Sequence, residues 1–82
     1  MFSYTICNEA DEILFRRQCQ AIEQNIPKLI PEKLLTDVDG TKIKIYQHSG
    51  GRIAVKNDMQ VNALYIDSDF DLLPFFTANN TD

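Results

Sequence analysis

The sequence predicts a small two-layer α+β domain, one N-terminal helix lying on a mainly antiparallel sheet in the order β-α-β-β-β-β. Three observations predict it. The opening residues alternate apolar and polar with a period of two, as in a half-buried strand. The next stretch carries an apolar stripe at helical spacing. The remainder breaks into short alternating runs divided by Asp-Gly and Gly-Gly turn signals. Residues 1–82 read as one domain, because no linker or internal repeat divides them. A chain this short buries only about 60% of the surface it exposes when unfolded, so a modest core is expected.

Phe2, Tyr4 and Ile6 alternate with Ser3, Thr5 and Cys7, which gives the first strand. Asn8 stands where a helix N-cap belongs, and Glu9, Asp11 and Glu12 suit the positive end of a helix. The helix is expected from Glu9 to Asn25, ending before Pro27, since proline disfavours helical geometry in the residue preceding it. Phe15, Cys19 and Ile22, continued by Ile26, form its buried stripe with Leu14 and Ala21 beside them. Arg17, Gln20 and Gln24 lie opposite, and Ile13 reads as a single exposed aliphatic on that wet side.

"IPKLIPEK", residues 26–33, contains two prolines and reads as an irregular crossing anchored by Leu29 and Ile30. Strand patterns follow. "EKLLTD" and "KIKIYQH" flank Asp39-Gly40, and "RIAVK" follows Ser49-Gly50-Gly51. "KNDMQ" is a further turn, with "VNALYID" as the last strand. Ile43 pairs in facing with Ile45, and Ile53 with Val55, so Lys42, Lys44, Arg52 and Lys56 are expected on a basic outer face.

Charge is distributed unevenly. The net charge is −4. Residues 1–27 set Glu9, Asp11, Glu12 and Glu23 against Arg16 and Arg17. Residues 28–56 set Lys28, Lys33, Lys42, Lys44, Arg52 and Lys56 against Glu32, Asp37 and Asp39. Residues 57–82 carry Asp58, Asp67, Asp69, Asp71 and Asp82 with no base. An acidic chain is repelled by the phosphate backbone, so wholesale nucleic-acid binding is not expected. No run approaches the ~18 apolar residues of a membrane span, and the N-terminus lacks a basic leader, so no membrane partner and a cytoplasmic location are expected. Cys7 and Cys19 are too few for a disulfide framework, and with His48 as the single histidine they do not complete a zinc set. Reduced thiols, and neither metal nor cofactor, are expected.

Asp37-Val38-Asp39-Gly40-Thr41 follows an apolar lead, and this D-x-D-G-T run resembles the first motif of the haloacid-dehalogenase-like phosphotransferases. The resemblance implies Asp37 as nucleophile, Asp39 as general acid, and both carboxylates on magnesium. It spans the motif alone. That family sets the motif on a parallel sheet with crossover helices, whereas the residues after Thr41 read as hairpins. The reading of the residues themselves is therefore a hairpin turn, with a catalytic aspartate pair as a remote alternative.

Three other runs carry residue types that can do chemistry. Asp67, Asp69 and Asp71 open like a calcium loop, but Leu72 and Ala78 stand where that loop needs glycine and glutamate. They read instead as a strand end, or as an acidic patch for a basic partner if the strand continues and keeps them on one face. "HSGGR", His48 to Arg52, sits between strands rather than opening a helix, so a hairpin outweighs a phosphate loop. "FDLLPFF" packs Phe70, Leu72, Leu73, Phe75 and Phe76 around Pro74, which either closes the core or forms a docking patch.

The functional expectation is a small non-enzymatic protein-binding domain of the inhibitor, immunity or regulatory-adaptor kind. Its partner is another protein, met by Asp67, Asp69, Asp71, Phe70, Phe75 and Phe76. The alternative is a small-ligand or anion-binding module, homodimeric if the apolar tail self-associates, using Lys42, Lys44, His48 and Arg52.

Overall fold

The computed structural model describes residues 1–77, and its elements follow the expected order with two additions. They are β1 (Phe2–Cys7), α1 (Glu12–Asn25), β2 (Ile30–Pro31), β3 (Leu35–Thr36), β4 (Lys42–His48), β5 (Gly51–Asp58), β6 (Ala63–Ser68) and α2 (Leu73–Thr77). The crossing segment contributes β2, and the C-terminal aromatic run forms α2; neither was expected from the sequence.

α1 begins at Glu12, with Asp11 rather than Asn8 as its N-cap, and the Asp11 carboxylate accepts from the Leu14 amide at 3.0 Å. The sheet explains the delay. Asn62 Oδ1 accepts from Ala10 N at 3.0 Å and Asn57 Oδ1 accepts from Asp11 N at 2.9 Å, which holds the lead-in away from helical geometry until Asp11. At the other end Ile26 is extended and its amide closes onto Ile22 O at 3.0 Å.

The sheet has six strands in the order β1-β6-β5-β4-β2, with β3 also on β4, and every pairing is antiparallel. Two-residue loops that need positive φ join such strands, and Ser49 (φ 49°) with Gly50 (φ 82°) supplies that geometry between β4 and β5. Gly51 matters for a different reason. A Cβ there would meet the Phe70 ring at 2.8 Å, so its bare backbone is what lets Phe70 lie over the start of β5.

Phe15, Ile22 and Ile26 from the α1 side pack on Tyr46, Ile53, Val55, Leu64 and Ile66, and Leu72 closes the cluster. Ile13 stays out in solvent, as expected of it. Leu29 joins the edge of the core, but Ile30 is exposed and is no anchor.

The facing of β4 differs from expectation. Antiparallel partners share a face, and the register sets Tyr46 against Ile53 and Lys44 against Val55. Lys42, Lys44, Tyr46 and His48 therefore lie on the helix side, and Ile43 and Ile45 on the other. Tyr46 decides this. It is fully buried, and its hydroxyl donates to Glu23 Oε2 at 2.5 Å. The two lysines sit at the rim of the helix layer, where Lys42 Nζ reaches Glu12 at 2.5 Å and Lys44 Nζ reaches Glu32 O at 2.7 Å. No single basic outer face results, since Arg52 and Lys56 point to the opposite side.

Candidate protein-contact surfaces

Period-two alternation that buries Ile53, Val55, Leu64 and Ile66 must send their neighbours to the far side of the sheet. Both helices pack on the near side, so among the described residues no helix covers the far one. Leu35, Ile43, Ile45 and Ala54 form an aliphatic centre there, in a hollow of about 370 Å³ rimmed by Arg52, Lys56, Asp67 and Asp69. Ile43 pairs with Leu35 of β3 and Lys56 of β5, and Ile45 with Ala54, which sets these side chains side by side.

The rim is held by its own bonds. Lys56 Nζ lies 3.1 Å from Asp67 and also over the Tyr65 ring, and Ser3 Oγ donates to Asp67 at 2.5 Å. Burial raises the Asp67 carboxyl, but the bonds from Ser3 and Lys56 outweigh it and leave the group below its ordinary value. Burial and the hydrogen bond to Asp58 push the Tyr65 phenol up. Asp69 accepts from Arg52 N at 2.9 Å and returns its own amide to Arg52 O at 3.0 Å, which fixes the end of the strand pair. Glu32 and Gln47 hydrogen-bond to each other on the same side.

The predicted acidic-aromatic patch is divided by the fold. β6 ends at Ser68, so alternation does not carry on to Asp71. Asp67 and Asp69 belong to the open side, while Asp71 accepts from Tyr4 Oη at 2.8 Å and from Leu73 N at 3.0 Å beside the helices. Phe70 and Phe75 stack around His48 with ring centroids 5.4 and 5.5 Å away, and Phe76 packs against the core. The aromatic run thus closes the helix side for most of its length, with Leu72 buried and Leu73 exposed. Ala78, the position a calcium loop would reserve for glutamate, lies outside the described residues, as does the rest of the polar tail.

The four residues of the anion-binding alternative do not converge. Lys42 is engaged by Glu12 and Lys44 by a carbonyl; His48 sits among phenylalanines, and Arg52 faces the other way. Lys42 holds the Glu12 carboxyl below its usual range. Asp37 and Asp39 form a local turn: Asp37 accepts from Val38 N at 2.7 Å and Asp39 from Thr41 N at 2.9 Å. The Thr41 bonds lower the Asp39 carboxyl. Cys7 and Cys19 are free thiols, and burial pushes the Cys19 thiol up. Among the described residues no His, Cys, Asp and Glu gather to hold a metal ion, and no helix is long and apolar enough to cross a membrane.

Sequence reasoning missed a hollow of about 800 Å³ at the end of α1, between Ile26, Pro27, Leu29, Pro31, Lys44 and Tyr46. Of its charged groups Glu23 is engaged by Tyr46 and Lys44 by Glu32 O, and Lys28 lines it as well. It also missed the aliphatic centre of the open side. The signal lies in Ile43 and Ile45, whose alternation reads equally well as a core-facing pair. Comparison of the chain with family models, curated proteins and solved structures finds no match.

Proposed function

We propose that this chain is a non-enzymatic protein-binding domain whose contact surface is the helix-free side of its sheet. The observation that carries the reading is the aliphatic centre of Leu35, Ile43, Ile45 and Ala54 inside a charged rim. An apolar centre with a polar rim is the anatomy of a protein interface. Side chains fixed by strand pairing lose little freedom on docking, which favours affinity.

The occupant is a protein surface with an apolar centre and basic surroundings. At the rim Asp67 and Asp69 match Arg52 and Lys56, Glu32 and Asp58 add acid on the same side through their bonds to Gln47 and Tyr65, and the whole chain carries −4. Charge of that sign steers a basic partner and repels acidic ones. An inhibitor, immunity protein or adaptor would use such a surface.

The test compares matched baits. The wild-type chain and an Ile45→Lys variant, both folded by circular dichroism, are used to capture partners from native lysate. A stoichiometric basic protein held by the wild type and lost with Ile45→Lys supports the proposal. A partner held equally by both overturns the assigned surface.

A further inference from the structure

The two ends of the sheet are finished differently. At one end Ser49 and Gly50 make the turn between β4 and β5, and neither offers an apolar side chain. At the other end two turns lie side by side, residues 37–41 between β3 and β4 and residues 59–62 between β5 and β6. Met59 joins them. Its amide donates to Thr41 Oγ1 at 2.9 Å, and its side chain comes within 3.7 Å of where a Cβ on Gly40 would stand.

Turns are usually built from glycine, proline, asparagine, aspartate and serine, which bend or bond the backbone. These two also carry Val38, Met59 and Val61. Val38 follows Asp37 in the turn that Gly40 N closes onto Asp37 O at 3.1 Å, and it is fully exposed. Val61 is 65% and Met59 42% exposed. One exposed aliphatic needs no explanation. Three stand on these touching turns, and the two valines gain little burial from their own chain. A local rule broken without an internal gain marks a surface that works outside the chain.

The turns are also held still. Asp37 N donates to Thr41 O at 2.8 Å, Thr41 N to Asp39 Oδ1 at 2.9 Å, and Gln60 N to Asp58 Oδ1 at 2.9 Å. Asn62 fastens the second turn to the residues before α1 through Ala10 N. Groups already ordered lose little freedom when they dock. Asp37, Asp39 and Asp58 accompany the aliphatics, and residues 34–41 and 57–64 contain no lysine or arginine. The lysines next along the chain are engaged, Lys42 by Glu12 and Lys56 by Asp67.

We infer that this end of the sheet is a second protein contact, an apolar tip that seats in a partner's cleft whose rim is basic. The aliphatics supply the buried centre of the contact and the three carboxylates its charged edge, which a basic rim complements and an acidic one repels. The inference goes beyond the proposed function, because these turns lie outside the hollow of Leu35, Ile43, Ile45 and Ala54.

Four matched baits test it, each used for capture from native lysate at low and high salt: wild type, Val38→Ser with Val61→Ser, Asp37→Asn with Asp39→Asn, and Ile45→Lys. The serines replace exposed side chains, and asparagine keeps the turn acceptors while removing charge, so both tip variants should stay folded by circular dichroism. A basic protein held by the wild type should be retained about tenfold less or weaker still by the valine variant. The asparagine variant should weaken capture at low salt and reduce its salt dependence. Loss with the valine variant and retention with Ile45→Lys supports the tip and removes the open side. The reverse removes the tip and leaves the open side standing, and loss with both places one partner across the two surfaces. No partner, an acidic partner, one held by all four baits, or capture unchanged in the asparagine variant overturns the inference.

Discussion

The two sides of the sheet are made from the same strands and carry similar aliphatic residues, yet they have different roles. On the helix side Tyr46, Ile53, Val55, Leu64 and Ile66 are 3% exposed or less. On the open side Leu35 is 48% exposed, and Ile43 and Ile45 are only partly covered. Polar groups divide in the same way. Those of the helix side tie the layers together, Tyr46 to Glu23, Lys42 to Glu12 and Asn57 to the start of α1. Those of the open side, Lys56, Asp67, Ser3 and Tyr65 among them, bond along the sheet. Apolar content therefore does not say which side is the core; the side that also reaches the helix does.

If that contrast holds, Leu64→Ala should give the largest stability loss. It removes a fully buried side chain, at a cost of about 2–5 kcal/mol measured by chemical denaturation. Asn57→Ala comes next. It frees the Asp11 amide at the start of α1 and empties a fully buried site, for a loss of about 1–3 kcal/mol. The Asn57 Nδ2 group has no partner among the described residues, so part of the cost of burying this side chain is relieved and the lower end is expected. Tyr46→Phe deletes the bond to Glu23 and a longer one to Cys19 O, and should cost about 1 kcal/mol.

On the open side Ile45→Thr keeps the β-branched shape and should shift stability by less than about 1 kcal/mol. An Ile45 substitution as costly as Leu64→Ala would mean that this side is part of the core, and the comparison would fail.

The smallest effect concerns pH. Asp67 titrates lower in the fold than its ordinary 3.8, because Ser3 and Lys56 favour its charged form over the cost of burial. Its contribution is present above pH 3.8 and is lost as pH falls through the lower folded value. Asp67→Asn should flatten that acidic limb of the stability curve, measured by thermal melts across it. An unchanged limb would show that the Lys56–Asp67–Ser3 bonds add nothing to folding.

By itself the sequence determined what depends on neighbours along the chain. Alternation in Phe2–Cys7 and in the residues around Ile53, Val55, Leu64 and Ile66 specified strands, and Phe15, Ile22 and Ile26 marked the buried stripe of α1. Asp39-Gly40 and Ser49-Gly50-Gly51 marked the turns, because φ > 0 is a local demand, although Ser49 and Gly50 rather than the Gly-Gly pair take it. The two-layer α+β class follows, since a single amphipathic helix has only the sheet to cover it.

Tertiary structure decided what depends on pairs far apart in the chain. Asn57 and Asn62 set where α1 starts, overriding a sound capping signal at Asn8. Tyr46 fixed the facing of β4, because either alternate set of that strand can be buried, and the bonds from Tyr46 to Glu23 and Cys19 O and from Lys42 to Glu12, all on α1, distinguish them. That one choice turned Ile43 and Ile45 outward and dispersed the lysines. The end of β6 at Ser68 split the acidic run, and α2 drew the phenylalanines around His48. A period of two records that a strand has two sides; which of them meets the helix is settled only where strand and helix pack.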